Sequence, residues 1–98
     1  MHDLNLRDYI EYKEGGIFSR VIKSGKYDAT LFCMAEGTEM SEHTSAREGF
    51  VLIIEGSGVF KLEDNNIEMF GGKMIFMPEG TVHSLKANSN TSFILVLF

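Results

Sequence analysis

The chain has 98 residues, 44% of them apolar and 23% charged, the balance of one soluble globular domain. A formal net charge of −5 lacks the basic footprint that nucleic acid and anionic membrane surfaces need, so neither is an expected partner. No stretch nears the ~20 apolar residues of a membrane span, MHDLNLRDYI is not a signal peptide, and the lone cysteine, Cys33, cannot cross-link the chain to itself, so a cytoplasmic setting is expected.

Residues 1–14 hold neither a helical nor a strand period for long and read as an N-terminal arm, extended or with one helical turn, ended by Gly15-Gly16. Ile17 to Ile22 is β-branched and aromatic, Lys23 to Lys26 turns, and Tyr27 to Ala35 returns, which together read as a hairpin. After a turn at Glu36–Glu39, a polar stretch carrying His43 reads as a loop leading into the apolar run Phe50-Val51-Leu52-Ile53-Ile54. A run this short and this apolar, closed by Glu55-Gly56-Ser57-Gly58, is a buried strand. Further strands are expected over 59–63, 67–70, 73–77, 82–87 and 93–98, separated by Asp64–Asn66, Gly71-Gly72, Pro78–Gly80 and Asn88–Asn90. Short strands at such spacing, without an amphipathic helix, predict an all-β sandwich or barrel. FVLII and FILVLF are apolar at every position, so both of their faces should be covered. The outer cover is expected to be a second sheet, the arm or the partner subunit of a homodimer.

The segments 37–58 and 72–87 carry two spaced patterns. In the first, Gly37 is followed after five residues by His43, and Gly56 closes the segment. In the second, Gly72 precedes Pro78 by five intervening residues, with Gly80 and His83 following. The chain thereby resembles the small single-domain cupins. That resemblance implies a jelly-roll barrel, a double-stranded β-helix, with the two motifs on facing strands. Metal-binding cupins set three histidines and a glutamate around one divalent metal. Here the second histidine position is Ser45, the glutamate position is Gly49, and the final asparagine of the second motif is Ala87.

The resemblance therefore leaves His43 and His83 as the polar groups of an otherwise apolar interior, with side chains expected to converge. Two imidazoles without a carboxylate make a weak shell for Fe, Mn, Ni or Zn. Glu48, one residue before the lost glutamate, could join only if a bend re-aimed it, since a one-residue offset changes face. Glu42 and Cys33 are further candidate ligands. Arg47, if turned inward, would hold a carboxylate ligand by paired hydrogen bonds. Ser45 shares a strand face with His43, and Phe76 is counted with Phe32, Phe60 and the methionines as core or cavity wall. His2 is given no role. Two functions are carried forward. The first is a barrel binding a small organic ligand with a loosely held divalent metal. The second is a metal-dependent dioxygenase, isomerase or decarboxylase using His43 and His83 as ligands. No phosphate loop or nucleophile elbow is present to suggest other chemistry.

Overall fold

The computed structural model describes residues 2–98 as nine strands and one 3-10 turn, Leu6–Tyr9. The strands are β1 (Ile17–Lys23), β2 (Asp28–Met34), β3 (Glu39–Thr44), β4 (Gly49–Glu55), β5 (Ser57–Leu62), β6 (Asn65–Phe70), β7 (Met74–Met77), β8 (Val82–Ala87) and β9 (Thr91–Leu97). They form two antiparallel sheets, ordered β1-β2-β9-β4-β7 and β3-β8-β5-β6. This is the all-β architecture expected from the strand spacing, in the jelly-roll form that the resemblance implies. No helix among the described residues is long and apolar enough to cross a membrane.

Side-chain alternation sorts the apolar residues into two layers. Val51, Ile53, Phe60, Met69, Leu85 and Phe93 fill the space between the sheets. The intervening residues of the same strands, Leu31 and Cys33 on β2 and Ile94 on β9, pack on the outer face of the five-stranded sheet. The arm lies over them through Leu6, Tyr9, Ile10 and Tyr12. Half of the reading of FVLII thus has its physical answer: Val51 and Ile53 are buried in the core, while Leu52 and Ile54 are half-buried beside the arm. Glu55 fastens the arm, accepting from Tyr12 Oη at 2.9 Å and pairing with Arg7 at 3.2 Å. Burial pushes the Tyr12 phenol up to about 12, so it stays a neutral donor.

One element departs from the sequence reading. The polar stretch around His43 is not a loop but strand β3, paired with β8 at the edge of the four-stranded sheet. The sequence does not mark it as a strand because its solvent-facing residues, Glu39, Ser41, Glu42 and Thr44, leave no apolar alternation. Its strand character comes from the partner strand rather than from its own composition. The β5–β6 turn also sits earlier than expected, at Glu63-Asp64, with Glu63 at a positive φ of 52°.

Candidate functional site

Strands β3 and β8 bring His43 and His83 directly opposite each other in the antiparallel register. A β-bulge makes this possible. Met40 pairs with Leu85 and His43 with His83, so two residues of β3, Ser41 and Glu42, oppose Ser84 alone. Met40 and His43 are three apart and would face opposite sides of a regular strand. The extra residue turns both to one side, and both line the same small cavity. The ring centroids of His43 and His83 stand 4.0 Å apart at 61°.

Each ring is held by a carbonyl two residues upstream. His43 Nδ1 lies 2.7 Å from the Ser41 oxygen, and His83 Nδ1 lies 3.3 Å from the Thr81 oxygen. A carbonyl only accepts, so in the neutral form of each ring Nδ1 carries the proton and Nε2 keeps a lone pair. Neither Nε2 is engaged by a protein group among the described residues. His83 is buried, with the Phe60 ring stacked parallel to it at 5.8 Å, whereas His43 is exposed at the mouth. Burial pushes the His83 imidazole below its ordinary value; the Thr81 carbonyl opposes this and His43 adds to it.

That shift has a stability consequence with a definite sign. A base whose folded pKa is depressed binds fewer protons than its unfolded form, so stability rises with pH across the gap. The contribution is complete above the unfolded value of ~6.5 and is lost as pH falls through the folded value. The urea midpoint is expected to fall between about pH 7 and about pH 5, with a shallower fall in His83→Asn. Equal slopes in the two proteins would remove His83 from the account.

The cavity between the sheets measures about 40 Å³ and is walled by Phe60, Met77, Phe93 and other apolar side chains beside the two imidazoles. That is room for one or two waters or a single ion. A broader depression of about 650 Å³ lies against Glu39, Glu42, Lys61 and Lys86 and includes neither histidine. It carries both signs of charge, and Met40, Val59 and Leu85 add apolar surface to its lining.

The other candidates lie elsewhere. Arg47 is not turned into the cavity: it pairs with the Asp28 carboxylate and donates to the carbonyls of Lys26 and Leu97, each at 3.2 Å. Its fork is spent on closing the end of the five-stranded sheet. Ser45 accepts from the Arg47 amide at 3.2 Å, and its carbonyl accepts from Gly80 at 2.8 Å, joining the two motif segments without lining the cavity. Glu48 is exposed just before β4 and is not re-aimed inward. Phe76 is 66% exposed on β7, because its neighbours Ile75 and Met77 take the inward positions. Cys33 packs under the arm on the far side of the sheet, where burial pushes its thiol up, and Glu42 is an exposed residue of the bulge. Among the described residues no three of His, Cys, Asp and Glu gather as a metal site would need. Sequence reading missed the orienting carbonyls of Ser41 and Thr81 and the stack of Phe60 on His83. Backbone groups leave no trace in residue identity, and only the i−2 spacing could have suggested them.

Comparison with known proteins agrees with this fold. The family model described as "Cupin domain" matches residues 30–98. A cupin superfamily protein from Desulfitobacterium hafniense superposes with a TM-score of 0.90 at 21% identity, covering 97% of this chain and 88% of that one. A conserved protein of unknown function from Streptococcus pyogenes gives 0.87 at 24% identity, covering 97% and 84%. An RmlC-like cupin from Desulfovibrio desulfuricans gives 0.86 at 20% identity, covering 99% and 95%. At these identities the likeness speaks to fold alone. No functionally curated protein matches the chain.

Proposed function

The chain belongs to the cupin domain family, and from that premise we propose that it is a cytoplasmic binding module whose ligand is gripped at the barrel mouth by His43 and His83. The observation that carries the proposal is the pair of lone-pair Nε2 atoms, one from each motif, brought together at one apolar opening. Two such acceptors suit a small polar head group that donates hydrogen bonds, or a loosely held divalent cation. With walls enclosing only about 40 Å³, the body of an organic ligand extends outward past exposed His43 rather than filling the barrel.

The enzyme alternative, a metal-dependent dioxygenase, isomerase or decarboxylase, asks for at least a third protein ligand. The donor set does not fit a tightly held Fe, Mn, Ni or Zn. At Gly49, where the family's glutamate would stand, a Cβ would lie 2.1 Å from the Val96 carbonyl oxygen. The lost carboxylate therefore has no room on this backbone, and Glu48 does not replace it.

The test is elemental analysis of untagged protein purified without a metal column, followed by Zn²⁺ titration with the histidine side-chain NMR signals as readout. Expected is far less than one equivalent of bound metal, with Zn²⁺ added later shifting the Nε2 signals of both rings and weakening at least ~10-fold in His43→Ala. A full equivalent of Fe or Mn, lost in the His43→Ala, His83→Ala double variant, would overturn the binding-module reading in favour of the enzyme.

A further inference from the structure

The inward face of the five-stranded sheet reaches past the sheet that covers it. On β2, Leu31 and Cys33 face the arm, so Thr30 and Phe32 face inward. On β1, Phe18 and Ile22 face the arm, so Ser19 and Val21 share the inward face with their register partners, Phe32 and Thr30. Two rows therefore run outward across β9, β2 and β1, one of Phe93, Phe32 and Ser19, the other of Leu95, Thr30 and Val21. Each row begins at the cavity wall, which includes Phe93, Phe32 and Leu95. Exposure then rises along each, from buried Phe93 to exposed Ser19, and from half-buried Leu95 and Thr30 to Val21 at 66%. Among the described residues no large apolar side chain is more exposed than Val21. The cause is topological: β3 ends the four-stranded sheet, and β1, the edge of the larger one, is left with its inward residues exposed.

His43 stands beside this shelf. It is exposed on the edge strand β3 and lines the cavity with Phe32 and Leu95. Beyond it, Arg47 pairs with Asp28 at the start of β2, which ties the His43 end of β3 to the Thr30 end of β2. We propose that the shelf seats the body of a ligand whose head meets His43 and His83, and that this ligand is an uncharged amphiphile, a hydroxyl on an apolar chain or ring. This rests on the histidine grip proposed above. Two Nε2 lone pairs repel an anionic head and accept from a hydroxyl. A cationic head would find no free carboxylate on the shelf, because Asp28, at its end on β2, is held by Arg47. Neither row carries a charged side chain, which suits an apolar body. From Leu95 to Val21 is two strand spacings, ~10 Å, close to the length of a hexyl chain.

The experiment titrates straight-chain primary alcohols, from ethanol to octanol, into the full chain and reads the NMR signals of the histidine rings, Phe32 and the Val21 methyls. It is run at about pH 8, where an imidazole is ordinarily neutral. Expected are shifts at both histidines with every alcohol and a Kd that falls ~2-fold per added methylene as far as hexanol, then levels. Val21→Asp should weaken hexanol at least ~4-fold and leave ethanol as it was. Lys23→Asp, on the same strand but paired with Ala29 of the arm side, should change neither. An affinity that is the same for every chain length, with Val21 unmoved, overturns the shelf and leaves the histidine grip standing. Length-dependent binding that moves Val21 and Phe32 while both imidazoles stay still supports the shelf and overturns the grip. No response to any alcohol overturns both. Sedimentation of the same samples reads the remaining case: a parent dimer that Val21→Asp dissociates would put a second copy on the shelf and overturn the proposal.

Discussion

A Gly49→Glu variant is expected not to fold, and Gly49→Ala to lose ~3 kcal/mol, lowering Tm by ~15 °C. The reason lies at the first carbon of any side chain. Gly49 pairs with Leu97 of β9 and Met77 of β7, so it is enclosed by strands on both sides. A Cβ there would sit 2.1 Å from the Val96 oxygen and 2.8 Å from Leu97 Cδ2. A leucine tip can move, but a carbonyl within a central ladder can shift only with its strand. Glutamate adds the cost of burying a carboxylate with no partner, which the chain relieves only by protonation or unfolding. Thermal and urea denaturation of the two variants reads the effect directly. Loss of less than about 1 kcal/mol in Gly49→Ala would show that β9 yields there, and that the missing carboxylate is not enforced by packing.

Gly49 also shows where a sequence stops being legible. Its departure from the family's glutamate is visible in the chain, but the crowding by β9 at that point is a contact 47 or more residues away that residue identity does not carry. The apolar strands were readable because burial writes itself into alternation or into unbroken runs, as in FVLII and FILVLF, although the second run is covered on both faces only at its start and ends with Phe98 53% exposed. Strand β3 was not, since its outward residues are polar and its regularity is broken by the bulge that serves the site. The same rule sorts the candidate residues. His43 and His83 could be paired from the motif spacing, and they do face each other. Arg47 and Phe76 could not be aimed from sequence. The first is drawn off by Asp28 and two carbonyls, and the second is set by which parity of β7 the core selects.

The small size of the cavity is set by the packing of its walls, among which Phe60 is the largest fully buried side chain. Phe60 is 1% exposed, lines the cavity and stacks on His83. Truncation to alanine is expected to cost ~3–5 kcal/mol, a large share of the stability of a domain of this size. Phe60→Leu, which keeps most of the volume, should cost ~1 kcal/mol. The alanine variant merges the lost ring volume with the existing void, and an apolar void of that kind stays dry and takes up a benzene-sized molecule. Benzene near saturation is therefore expected to raise the Tm of Phe60→Ala and to leave that of the parent unchanged, because a ligand stabilises only the fold that binds it. Equal shifts in both would mean that the parent's walls open unaided, and the barrel interior would then be available to an apolar ligand as well as its mouth. With no shift in the parent, the ring of Phe60 is what confines recognition to the two imidazoles at the opening.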